Sequence, residues 1–97
     1  DAIHSIDRAK IAHAIAGDMI RIGRHHDNDV RLPLKSVHRY HAVIHRTDDA
    51  GFVITDLSGE HGNGVRINGQ RRAQAPLAHG DQIELGKARM RFANTWH

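Results

Sequence analysis

Ala42-Val43-Ile44-His45 and Phe52-Val53-Ile54-Thr55 flank Asp48-Asp49-Ala50-Gly51, and this stretch decides the fold. Each flank is short and rich in β-branched side chains, which suit a pleated, half-buried surface. The intervening residues cap a turn with their side chains or tolerate positive φ. Outward in both directions the pattern recurs in Met19-Ile20-Arg21-Ile22 and Gln82-Ile83-Glu84-Leu85, with further turns at Asn68-Gly69-Gln70 and His79-Gly80-Asp81. Hairpins are the expected connections. Near the start, Ile11, His13 and Ile15 alternate as in a strand, with Gly17-Asp18 turning it into the Met19 strand. A short helix over Asp7 to Ala16, closed by Gly17, is the competing reading, since Ala9, Ala12 and Ala14 favour it locally.

Composition bounds the rest. The chain has 97 residues, enough for one core but not two, so a single domain over 1–97 is expected, with its core over about 11–93 and residues 94–97 as a frayed end or linker stub. Hydrophobic residues at 39% and charged residues at 26% fit an ordinary globular domain. No apolar run approaches the roughly 20 residues of a spanning helix. Cysteine is absent, which excludes disulfides, thiolate metal sites and cysteine nucleophiles together. The chain opens on Asp1 and carries no secretion signal, so a piece of a longer protein is expected. A net charge of +3 favours anionic partners without demanding nucleic acid. Lysine occurs only at Lys10, Lys35 and Lys87, and the remaining cations are arginines, suited to bidentate phosphate or carboxylate recognition.

Five separated signals then line up in order: Ile22-Gly23-Arg24, Asn28-Asp29-Val30, Val37-His38-Arg39-Tyr40-His41-Ala42, Asp56-Leu57-Ser58 leading to Asn63-Gly64-Val65-Arg66-Ile67-Asn68-Gly69, and Leu77-Ala78-His79-Gly80-Asp81-Gln82-Ile83-Glu84-Leu85-Gly86. Together they make a sequence that resembles a forkhead-associated (FHA) domain over roughly Ile15 to Phe92. The resemblance implies an all-β sandwich of about eleven short strands whose loops at one end bind phosphothreonine in partner proteins. It implies a binding module for signalling, not an enzyme, with no cofactor, a cytoplasmic location and a phosphorylated protein or peptide as partner. Further domains of a longer parent chain are also expected partners.

By the same resemblance, Arg24 is the pocket arginine that grips phosphate oxygens, and Asn63 shapes the binding loop and reaches the peptide main chain. Arg39 keeps the family's residue and is expected at phosphate or peptide, with Arg66 adding charge from the neighbouring loop. His41 matches a buried histidine that ties the loops together. Gly23, Gly64, Asn68, Gly80 and Asp81 are expected as structural, loop-supporting residues. His38 departs from the family pattern, which has a serine whose hydroxyl donates to phosphate. Ser36, two residues away on an extended chain, is the nearest replacement. An imidazole also donates from its ring, and a neighbouring phosphate dianion favours its charged form. Gly62 is a second departure, standing where many members carry a threonine or serine, in a Ser58 to Gly62 loop about two residues longer than the pattern. A hydrogen bond to a charged group is worth roughly 1.5 to 3 kcal/mol, so these departures weaken phosphate binding unless something offsets them.

Other classes fit less well. Ten histidines raise the question of zinc, but on a strand His38 and His41 would face opposite ways, leaving the loop residues His25, His26 and His61 as the candidate set. No metal is expected. Neither a Gly-x-Ser-x-Gly elbow nor a His-Glu-x-x-His pair occurs. Arg71-Arg72, Lys87, Arg89 and Arg91 suggest a nucleic-acid surface, yet Tyr40, Phe52, Phe92 and Trp96 are the only aromatic residues for stacking, and the two phenylalanines suit the core. The nearer alternative is a degenerate FHA domain that binds an unphosphorylated partner, or itself, through the same loops or a sheet face.

Overall fold

A computed structural model describes residues 2–5, 12–14, 17–49 and 51–93. Within them the chain forms β1 (Ala2–Ser5), β2 (Ala12–Ala14), β3 (Met19–Gly23), β4 (Val30–Arg31), β5 (Ala42–Arg46), β6 (Phe52–Asp56), β7 (Val65–Ile67), β8 (Gln70–Arg71), β9 (Gln74–Leu77), β10 (Gln82–Leu85) and β11 (Ala88–Ala93). They make two sheets, ordered β2-β1-β11-β10-β7-β8 and β4-β3-β5-β6-β9. All pairs are antiparallel except the short parallel contact of β3 with β4.

Period-two alternation builds the core. Along β11, Ala88, Met90 and Phe92 are buried while Arg89 and Arg91 face outward, and along β7 Val65 and Ile67 are buried on either side of Arg66. From the opposite sheet come Ile20, Ile22, Ala42, Ile44, Phe52, Ile54 and Ala75. Phe52 and Phe92 meet edge to face across the sandwich at 5.5 Å between ring centroids. Val37, from the β4–β5 connection, is 1% exposed and anchors that long loop to the core. Each such side chain contributes about 1.5 to 3 kcal/mol when fully buried.

Two expected hairpins form at Asp48–Gly51 and Asn68-Gly69, the second with φ of 52° and 88° at its two central residues. Two do not. The Ala12–Ala14 strand pairs with β1 in the first sheet, whereas the Met19 strand lies in the second, so Gly17-Asp18 leads between sheets. His79-Gly80-Asp81 likewise carries the chain from β9 to β10 across the sandwich. A turn signature specifies chain reversal but not whether the strands on either side share a sheet. Ile11, Ile15 and the 94–97 end, including Trp96, lie outside the described residues.

Candidate functional site

Three connections converge at the end of the sandwich where β3 and β6 finish and β5 and β7 begin. They are the 24–29 loop, the 32–41 loop and the 57–64 loop. Main-chain bonds join the first two, with the Arg24 amide donating to the His38 carbonyl and the His25 amide to the Arg39 carbonyl. Asn28, a buried polar residue, reinforces them by donating from Nδ2 to the carbonyls of His25 (2.8 Å) and Arg39 (2.7 Å). The Gly23 strand end lies so close to this junction that a Cβ there would collide with the Arg39 carbonyl. Glycine is required by that approach.

His41 ties the second and third loops. Its Nδ1 accepts the His38 amide proton at 3.1 Å, which fixes the ring proton on Nε2, where it donates to the Gly64 carbonyl at 2.7 Å. The ring is 0% exposed. Burial is the main reason its pKa lies below the usual imidazole range, with the positive potential of neighbouring His38 acting in the same direction and the Gly64 carbonyl and Asp56 opposing. His41 is therefore a neutral strut between the two loops. Asn63 adds a second tie by donating from Nδ2 to the Ser36 carbonyl, and its amide points at His38 Nε2 at 3.4 Å. Ser58 completes the set. Its hydroxyl donates to Asp56 and accepts the Gly64 amide at 3.0 Å.

Between these ties lies an open cleft of about 480 Å³ lined by Arg24, His38, Arg39, Tyr40, Leu57 and Ser58. Its charge is uncompensated. Among the described residues no carboxylate pairs with Arg24 or Arg39: Asp27 lies beside His25 and His26, and Asp29 accepts the Arg21 amide. A cleft carrying two such guanidinium groups and an imidazole suits a multiply charged anion. Tyr40 (46% exposed) and Leu57 (49%) add apolar wall beside that charge.

Arg24, His38 and Arg39 thus come together, with Asn63 against His38. Two other assignments change. Ser36 keeps its place in the loop, but its hydroxyl accepts the Lys87 amide at the β10–β11 turn and its carbonyl serves Asn63, so it joins loops and does not line the cleft. Arg66 is in strand β7, not a loop, and the burial of Val65 and Ile67 turns it to the outer sheet face opposite Glu84. Asn68, Gly80 and Asp81 sit at the other end of the sandwich. There Asn68 donates to Asp81 and accepts the Gln82 amide, while Asp81 accepts the Ala78 amide.

The histidine geometry also differs from expectation. Residues 38–41 are bent, not a strand, and the His38 and His41 rings meet edge to face at 5.2 Å. His61 lies beside Glu60 and does not join His25 and His26, whose ligand atoms fall with those of Asp27 within 4.8 Å of one another. Sequence reasoning gave no role to Asn28, Tyr40 or Leu57, and it read Arg71 as part of a surface patch. For Asn28 the signal was its place in a glycine-free loop beside a required Gly23. For Tyr40 and Leu57 it was a large apolar residue where a turn should be polar.

Residues 20–86 match the family model for the FHA domain, and the chain belongs to this family. It is 35% identical over 72 residues to the oxoglutarate dehydrogenase inhibitor of Corynebacterium jeikeium, covering 74% of this chain and 48% of that protein. It is 44% identical over 66 residues to the transcriptional regulatory protein EmbR of Mycobacterium tuberculosis, covering 67% of this chain and 16% of that protein. The chain therefore spans half or less of these relatives. The structure of M. tuberculosis EmbR in complex with a low-affinity phosphopeptide superimposes with a TM-score of 0.84 at 33% identity, over 99% of this chain and 25% of that one. Among the described residues no helix is long and apolar enough to cross a membrane.

Proposed function

We propose that this domain, one unit over residues 1–97, binds phosphothreonine segments of partner proteins in signalling, as a module and not as an enzyme. A cytoplasmic location and further domains in the parent chain go with that reading. The observation that carries it is the cleft in which Arg24 and Arg39 converge with no carboxylate to neutralise them among the described residues. Similarity to EmbR, solved with a phosphopeptide, supports the same class of ligand.

Arg24 takes the phosphate oxygens through parallel hydrogen bonds, while the Ser58 hydroxyl, its proton donated to Asp56, holds the loop beside them. His38 occupies the position of the family's serine. Its ring lines the cleft, where a ring N–H can donate to the anion. Asn63, held by Ser36, is left to contact the peptide main chain, and Tyr40 and Leu57 contact an apolar side chain near the phosphothreonine.

The test is fluorescence anisotropy with a phosphothreonine peptide library and its unphosphorylated counterpart, using Arg24→Ala as the control. Selective binding of the phosphorylated library that is lost in the variant is the expected result. Equal binding of both libraries would instead favour a phospho-independent interaction or self-association module.

A further inference from the structure

The 59–62 segment reads Gly-Glu-His-Gly, with no side chain suited to the core and two glycines whose freedom must be restrained for Asn63 to hold one position. Its restraint comes from a neighbouring strand. Arg71 lies on β8, a two-residue edge strand paired only with β7, and its guanidinium reaches back over the loop. Nη2 donates toward the carbonyls of Gly62 (3.1 Å), Glu60 (3.3 Å) and Gly59 (3.4 Å). The same planar group covers Gly64, where an added Cβ would stand 2.6 Å from Nε and 2.7 Å from Cζ. Gly64 has φ of +72°, so the loop needs glycine there both for its backbone and for the arginine lying across it.

Building on the phosphopeptide reading above, we infer that Arg71 is a positioning residue for recognition: it spends its charge on three loop carbonyls and thereby presets the segment that presents Asn63. The loop has no hydroxyl immediately before Asn63-Gly64, because Gly62 stands there. Arg71 supplies from outside the order that such a loop lacks. His41 and Ser58 grip residue 64, Arg71 grips 59–62, and Asn63 lies between the two anchors. Each carbonyl contact is longer than the 2.7–2.9 Å of a strong charge-assisted bond, so the effect depends on all three converging on one rigid fork. Lysine, a point charge on a flexible stem, does not reproduce that geometry.

Three readouts on Arg71→Met and Arg71→Lys test this. Without ligand, amide hydrogen exchange at Gly62, Asn63 and Gly64 should be about 10-fold faster in Arg71→Met, with the Ile44 and Ile83 amides unchanged, as for local and not global opening. A phosphothreonine peptide should bind about 10-fold more weakly, whereas free phosphothreonine, which does not extend to Asn63, should change by less than about 2-fold. Arg71→Lys should behave like Arg71→Met in exchange. Unchanged exchange in Arg71→Met overturns the proposal. So does full recovery in Arg71→Lys, which would make the effect one of net charge, or an equal loss of peptide and free phosphothreonine, which would put Arg71 in the phosphate pocket. If the wild-type domain fails to prefer phosphorylated peptide, the functional reading fails by itself, and the exchange measurement still decides whether Arg71 orders the loop.

Discussion

The two ends of the sandwich use the same hydrogen-bonding vocabulary for opposite purposes. At the β7–β8 and β9–β10 end, Asn68 and Asp81 bond to each other and to neighbouring amides, so the polar groups there satisfy one another. At the other end, Asn28, His41, Ser58 and Asn63 bond to the backbone in the same way, but the cations they surround stay without an acidic partner among the described residues. A fold needs its loops tied at both ends. What sets the cleft end apart is that two such guanidinium groups and an imidazole line one cavity there.

The sharpest way to break this contrast is to remove the cation. Arg24→Ala should weaken phosphothreonine peptide binding by about 100-fold or more, since two charge-assisted bonds of roughly 1.5 to 3 kcal/mol each are lost. Its melting temperature should stay within about 2 °C of wild type, as for a surface change. Anisotropy and calorimetry together check both halves.

Next is the strut. His41→Phe leaves the His38 amide and the Gly64 carbonyl without their buried partner, at a cost of about 2 to 3 kcal/mol in urea unfolding, and peptide binding should fall with it. The pH dependence follows from the same residue. Its folded pKa is lowered, mainly by burial, so the unfolded chain binds more protons in the window below the ordinary imidazole value of about 6.5. Stability attributable to His41 is thus complete above that value and is lost as pH falls toward the folded pKa. Urea midpoints between pH 7.5 and 5.5 should decline in the wild type and decline less in His41→Phe.

At the opposite end, Asn68→Ala should cost about 1 kcal/mol of stability while leaving peptide affinity within about 2-fold. A loss of affinity comparable to its loss of stability would show that the two ends are not independent. The smallest effect concerns His38→Ser, which exchanges one donor for another and should alter affinity at pH 7 by about 3-fold or less. A change well beyond about 3-fold would show that the imidazole and a hydroxyl are not interchangeable at this position.

Much of the scaffold was legible because its signals are local. Alternation in β3, β5, β6 and β10 and the turn at Asn68-Gly69 declare themselves within a few residues. β11 was harder to see, since Ala88-Arg89-Met90-Arg91-Phe92 carries its arginines on the outward face and reads as a basic patch. The 17–18 and 79–81 turns misled for a different reason, as both cross between sheets and nothing in a turn states which sheet follows.

Composition and order along the chain determined an all-β domain, because period and glycine placement are properties of short segments, and the resemblance to FHA domains pointed to Arg24 and Asn63 as site candidates. Tertiary structure alone decided that Ser36 faces Lys87, that Arg66 leaves the site and that Arg71 enters its support. His41 reaches across 23 residues to Gly64, and Asn63 across 27 to Ser36. Contacts of that span depend on how two sheets bring separate loops together, and no local pattern of side chains encodes that convergence.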